Sequence, residues 1–275
     1  MIHPTTLTRF LAPVFLATLM TSLPRALAVE IVAHRGASHD APENTLPSVK
    51  LGWERNADAV EVDVYLSQDG KIVVMHDDNT KRTAGVDKRI DEQTLAALKT
   101  LDAGRWKGEQ WAGTPIPTLE EVLATIPAGK RLFIEIKCGP EVLPELEAVL
   151  DRSGKRGQVV IISFGFPVVE QAKKRFGDIP VYWLYGFSER EKKAYNDPSL
   201  GDLIAKAKAA GLDGLDVNYR GPFGKEFVEQ LTAQGMKLYV YTVDEPADAK
   251  GLAEIAVAGI TTNRPAYLRE SLTGR

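Results

Sequence analysis

From residue 31 onward, short runs of apolar and β-branched residues alternate with longer stretches whose apolar positions recur every three to four residues. That alternation is the mark of βα units, in which each buried strand feeds an amphipathic helix. Strands are predicted at Ile31 to Ala33, Ala59 to Tyr65, Leu132 to Lys137, Val159 to Ser163, Val181 to Leu184, Gly214 to Val217, Leu238 to Thr242 and Gly259 to Thr262. Helices are predicted after them at Leu46 to Arg55, Leu119 to Ile126, Glu141 to Ser153, Pro167 to Phe176, Leu200 to Ala210, Lys225 to Ala233, Pro246 to Ala256 and Ala266 to Leu272. Eight strand-then-helix repeats predict an α/β protein folded as a (β/α)8 TIM barrel, a single domain over residues 29–275.

One interval breaks the rhythm. Lys71 to His76 is a further apolar run, joined to the second strand by Ser67-Gln68-Asp69-Gly70, and the Asp-Gly pair predicts a hairpin. With residues 67 to 70 as the turn, Leu66 faces Lys71, Asp63 faces Val74 and Glu61 faces His76. The stretch 79–118 then holds Arg, Gly, Trp and Pro with one helical pattern, Asp91 to Lys99, and is predicted to be an insertion above the barrel.

Composition narrows the partners. The chain has 275 residues, is 44% hydrophobic and 26% charged, and sets 37 acids against 34 bases for a net charge of -3. That excludes a disordered chain, and the absence of a basic run argues against nucleic acid. The lone Cys138 cannot form an internal disulfide and has no zinc-site spacing around it; a buried thiol is expected. Residues 1–28 read as a signal peptide, with Arg9 before the apolar Phe10 to Met20 and a small-x-small Ala26-Leu27-Ala28. The apolar part, interrupted by Pro13, is too short for a membrane span, so a periplasmic or secreted protein is expected.

Barrel chemistry gathers at the C-terminal ends of strands, and the polar residues there are few. They are His34-Arg35-Gly36, Glu61 and Asp63, His76-Asp77, and Glu135 and Lys137. A spacing of two puts Glu61 and Asp63 on one side of a strand, and Glu135 and Lys137 likewise. Three inward carboxylates repel unless a cation joins them, and an all-oxygen set suits Mg²⁺ or Ca²⁺. The competing reading is a structural network in which Arg35 and Lys137 neutralise the acids. His34 and His76 favour catalysis, because imidazoles beside acids exchange protons near neutral pH. Arg35 and Lys137 offer a fork and a point charge to a phosphoryl group. His39 is expected at the surface.

The segments AHRGASHDAPENT (33–45), EVDVYLSQDGKIVVMHD (61–77) and FIEIK (133–137) resemble the glycerophosphodiester phosphodiesterase family, and the similarity runs from about Ile31 to Leu268. The resemblance implies a TIM barrel that hydrolyses glycerophosphodiesters to sn-glycerol 3-phosphate and an alcohol with a divalent metal. It implies His34 and His76 as acid/base residues, Glu61, Asp63 and Glu135 as metal ligands, and Arg35, Glu43 and Lys137 as polar contacts of the substrate site. The chain departs from the family pattern in VYTVDEP, where Tyr241 and Asp244 replace a frequent Trp and Asn, and in GITTNRP, where Asn263 replaces a frequent Asp. Tyr241 keeps an aromatic wall for the substrate alcohol and gains a hydroxyl.

Two other readings share the site. A lysophospholipase D-like enzyme would take a larger lipid, with Trp106 and Trp111 of the insertion as the hint. A phosphodiester-binding barrel without turnover is disfavoured by the retention of both histidines and all three acids.

Overall fold

The computed structural model describes residues 29–274. The predicted signal peptide, 1–28, lies outside the described residues. Nine strands form one sheet: β1 (Glu30–Ala33), β2 (Ala59–Leu66), β3 (Ile72–Val74), β4 (Arg131–Ile136), β5 (Val159–Ser163), β6 (Val181–Tyr185), β7 (Gly214–Asn218), β8 (Lys237–Tyr241) and β9 (Gly259–Thr262). All but β3 run parallel, and β1 pairs with both β2 and β9, which closes an eight-stranded barrel. The helices are α1 (Leu46–Glu54), α2 (Lys81–Ala84), α3 (Leu95–Leu98), α4 (Leu119–Leu123), α5 (Leu143–Ser153), α6 (Phe166–Arg175), α7 (Glu189–Ala194), α8 (Leu200–Ala209), α9 (Lys225–Ala233), α10 (Pro246–Glu254) and α11 (Pro265–Thr273). Each predicted strand is present; α2 and α7, both too short to show a periodic face, have no counterpart among the predicted helices.

The strand alternation divides the core in two. Val60, Val62 and Val64 join the layer between barrel and helices, whereas Ala59, with Val32, Phe133, Val160, Ile162, Tyr182, Leu184 and Tyr239, fills the barrel itself. Phe133, Tyr182 and Tyr239 lie with ring centroids 5.1 to 6.3 Å apart. Beneath them the Tyr239 hydroxyl donates to Glu30 (2.6 Å) and accepts from Arg131 (2.8 Å). This aromatic plug lies toward the N-terminal ends of the strands, and Asp63 and Glu135, paired two positions beyond Glu61 and Phe133, lie toward the other rim.

Two expectations are corrected. The hairpin pairs Val64 with Val74, Tyr65 with Val73 and Leu66 with Ile72, one residue away from the predicted register. Ser67 N donates to Lys71 O (2.9 Å), so the loop is only Gln68-Asp69-Gly70, with Gly70 left-handed at φ +71°. A three-residue loop ending in a left-handed glycine shifts the returning arm by one position. Asp63 O therefore accepts from Met75 N (3.0 Å), and His76 leaves the ladder rather than facing Glu61.

The predicted Asp91 to Lys99 helix breaks into a 3₁₀ turn at Ile90–Glu92 and the short α3. Gln93 is extended between them (φ -123°, ψ 134°): its carbonyl accepts from Gln68 N, and its side chain donates to the carbonyls of Lys88 and Arg89. Thr94 then caps α3, its hydroxyl accepting from Ala97 N. Tertiary hydrogen bonds outweigh the helical pattern here. The insertion has a small core of its own, built from Val73, Met75, Ile90, Leu98, Ala103 and Ile116.

Candidate active site

Three loops and two strands build the mouth. The β1–α1 loop turns back on itself through left-handed Arg35 (φ +54°), Gly36 (φ +82°) and Asn44 (φ +57°). Arg35 N then donates to Glu61 Oε2 (2.9 Å), and the Asn44 side chain donates to Asp63 Oδ2 (2.7 Å) while accepting from Asp63 N (3.1 Å). Thr45 caps α1 and Ser48 Oγ donates to Arg35 O (2.7 Å), anchoring the loop to the helix. A Cβ at Gly36 would lie 2.3 Å from Ser48 Oγ and 2.4 Å from its carbonyl carbon. Gly36→Ala is expected to cost about 2 kcal/mol or more, combining left-handed strain with a backbone clash, and thermal unfolding would show it as a lowered Tm.

Glu61, Asp63 and Glu135 converge as predicted, each buried, with one oxygen apiece inside a sphere of mutual distances under 4.8 Å. Pairing of β2 with β4 sets Asp63 directly opposite Glu135. Burial, then the charges of Asp63 and Glu135, push the Glu61 carboxyl well above the usual range. Burial, then Asp63, pushes Glu135 up to about 7. Burial opposes ionisation of Asp63 too, but Lys137 and Arg35 hold its carboxyl below the usual range. Lys137 Nζ lies 2.7 Å from Glu135 Oε1 and 3.4 Å from Asp63 Oδ1; Arg35 Nε lies 3.3 Å from Asp63 Oδ2.

These cations leave the set unfinished. Glu61 Oε1 and Asp63 Oδ1 are buried without a hydrogen-bond partner. A hard dication accepting only oxygen ligands fits two such orphaned atoms and the adjacent Glu135. Its binding would displace protons from Glu61 and Glu135, so affinity should fall as pH drops through about 7. Calorimetry of Mg²⁺ or Ca²⁺ binding in buffers of different ionisation enthalpy would measure that proton release; none at pH 6.5 would contradict the raised Glu61 and Glu135 carboxyls.

Both histidines flank the acids, each within the electrostatic reach of Asp63 and Arg35. His34 Nδ1 lies 2.7 Å from Asn263 Oδ1, and His76 Nδ1 lies 2.7 Å from Asp77 Oδ1. Both rings are thus engaged at Nδ1. Burial, then the Arg35 charge, pushes the His34 imidazole down to about 4. Burial also lowers His76, against the opposing pull of Asp63 and Asp77.

Glu43 stands apart from the triad. It accepts from Arg35 Nη1 (2.9 Å) and from both terminal nitrogens of Arg82 (2.7 and 3.0 Å). Arg82 also donates from Nε to Asp77 (2.7 Å), which ties the insertion to both sides of the mouth. Sequence reasoning passed over Arg82, since a surface-like arginine in an insertion carries no spacing signal. Asn44 was also missed, although its place beside Glu43 and its short amide suit a left-handed turn.

Tyr241 faces the barrel mouth against Phe164, with centroids 5.8 Å apart, and its hydroxyl is buried without a partner. The Asp244 carboxylate, in the loop that follows, turns to Asn263. Asp216 is a further inward acid, missed because it sits singly among apolar neighbours. Burial, then Glu135, raises its carboxyl well above the usual range.

His39 is exposed and bonded to Asp40 (2.8 Å), as a surface residue. Cys138 is half-buried rather than fully buried, and burial, then Glu141, pushes its thiol up to about 11, which disfavours the thiolate. Trp106 is 41% exposed, its ring approached by Arg82 and Lys107 rather than packed against the barrel. Clefts of about 1000 and 530 Å³ share Lys137, Cys138 and Arg190 in their linings. No helix among the described residues is long and apolar enough to cross a membrane.

Comparison with known proteins gives the site its family. The profile of the glycerophosphoryl diester phosphodiesterase family matches residues 34–267, beginning at His34. A glycerophosphodiester phosphodiesterase of Bacillus subtilis is 32% identical, with 85% of this chain and 83% of the relative covered. One from Caldanaerobacter subterraneus is 34% identical over 86% and 95%. An Oleispira antarctica phosphodiesterase, solved with its product sn-glycerol-3-phosphate, is 28% identical and superposes with a TM-score of 0.80 over 88% of this chain and 96% of that one. With the family profile matched over residues 34–267 and two relatives above 30% identity over most of its length, the chain belongs to the glycerophosphoryl diester phosphodiesterase family.

Proposed function

We propose that this chain hydrolyses glycerophosphodiesters to sn-glycerol 3-phosphate and a free alcohol, using a divalent ion and two histidines. The carrying observation is the convergence of orphaned Glu61 and Asp63 oxygens beside two imidazoles that are both engaged through Nδ1. Glu61, Asp63 and Glu135 would hold Mg²⁺ or Ca²⁺. When bound, such an ion supplies Lewis-acid charge to a phosphate and lowers the pKa of an oxygen nucleophile.

The chain's own groups account for the rest. Arg35 and Lys137, now spread over Asp63 and Glu135, are placed to share their charge with a phosphoryl group. Burial holds His34 neutral, which suits it to take a proton. His76, bonded to Asp77 through Nδ1 and turned to the other side of the acids, is placed to give one to the departing alkoxide once it is protonated, although burial lowers its pKa. Glu43, clasped by Arg35 and Arg82, fixes the direction of the Arg35 fork. The Tyr241 ring, set edge-on against Phe164, offers an aromatic wall to the substrate alcohol.

The test is a substrate panel on ion-loaded protein, with glycerophosphocholine, glycerophosphoethanolamine and lysophosphatidylcholine as separate arms. Release of sn-glycerol 3-phosphate from the first two is expected. Turnover of lysophosphatidylcholine alone would replace the reading with a lysophospholipase D, and no turnover of any would leave a binding barrel. Export to the periplasm or beyond is proposed on Arg9, the apolar Phe10 to Met20 and Ala26-Leu27-Ala28. N-terminal sequencing of the native protein should find Val29 first; an intact Met1 would refute it.

A further inference from the structure

Asp244 lies in the loop between β8 and α10, and Asn263 directly follows β9. Asp244 Oδ1 accepts from Asn263 N (2.8 Å) and Thr262 Oγ1 (2.9 Å), and Oδ2 accepts from Asn263 Nδ2 (2.7 Å). A carboxylate only accepts, so the amide NH₂ of Asn263 must face Asp244. The amide oxygen is thereby turned toward His34 Nδ1 (2.7 Å) and Ser38 Oγ (2.8 Å). An amide oxygen also only accepts, so His34 Nδ1 must carry the hydrogen. The lone pair of the neutral ring is then at Nε2.

We propose that Asp244 is a positioning residue that acts through Asn263 to fix His34 as its Nδ1–H tautomer, making Nε2 the atom that exchanges protons. The catalytic consequence rests on the acid/base role proposed for His34; the tautomer does not. Rotating the Asn263 amide by 180° would set its oxygen against Asp244 Oδ2 and offer donors to both His34 and Ser38. The carboxylate forbids that arrangement by repulsion. The backbone is held as well: His34 N donates to Thr262 O (2.8 Å) and His39 N to Asn263 O (3.1 Å), so the ring and the amide share one frame. Two loops distant in sequence thus decide which nitrogen of the histidine just after β1 is basic.

The experiment is ¹⁵N NMR of the imidazole nitrogens in ion-free protein, with His34 assigned by the signals lost in His34→Gln, together with kcat and KM of the Mg²⁺-loaded enzyme. Wild type should show a protonated Nδ1 and an unprotonated Nε2; the reverse would overturn the proposal without any variant. Asp244→Asn should mix the two tautomers and lower kcat about 10–100-fold with little change in KM, the usual size for a group orienting a functional histidine. The exchanged pair D244N/N263D again places an acceptor at His34 and a donor at residue 244, and should recover the single tautomer and most of kcat. A fall in kcat with the tautomer unmoved would mean that Asp244 acts only structurally. If His34→Gln retains full turnover while the tautomer is as stated, the acid/base reading fails and the positioning does not.

Discussion

The His34→Ala variant is expected to keep its fold and its affinity for Mg²⁺ or Ca²⁺ while losing about 10³- to 10⁴-fold in kcat for glycerophosphocholine, the upper part of the range for removing a general acid or base. The ring touches none of the three acids through a hydrogen bond; its Nδ1 partner is Asn263. The metal set is therefore left whole. Because the histidine backbone is tied to Thr262, alanine can hold the same strand end. Steady-state rates and calorimetry on one preparation would separate the effects. A loss of less than tenfold would remove His34 from proton transfer, and a parallel loss of ion binding would show that it belongs with the acids.

Glu61→Gln should be as severe by another route. Glu61 Oε2 accepts from Arg35 N, a bond that the glutamine oxygen can keep, and the amide NH₂ then replaces the orphaned Oε1 aimed at the cluster. A donor there repels a dication, so both ion affinity and turnover should collapse, the latter by about 10³-fold or more, as loss of several kcal/mol of charge stabilisation requires. The ion-free variant should melt no earlier than ion-free wild type, since Glu61 is destabilised by burial and by Asp63 and Glu135. A chelator should mimic the kinetic loss in wild type, reversed by added Mg²⁺ or Ca²⁺. Full activity after exhaustive chelation would sink the metal assignment.

The site residues that the sequence revealed are those tied to strand periodicity. A spacing of two aligned Glu61 with Asp63 and Glu135 with Lys137, and both histidines fell at the ends of apolar runs. What stayed hidden depends on loops that meet only after folding. Arg82 reaches Glu43 across 39 positions, and Asp244 meets Asn263 from separate βα connections. No local pattern encodes either pair. The hairpin erred by one residue because Gly70 takes a left-handed turn that shortens the loop, and the helix at Asp91 failed because buried Gln93 bonds to backbone from another segment. In each case a few hydrogen bonds decided what periodicity alone left open.

The stacked rings of Phe133, Tyr182 and Tyr239, sealed from below by Glu30 and Arg131, give the barrel no back door. Incoming diester and outgoing glycerol phosphate must therefore use the same vestibule, one at a time.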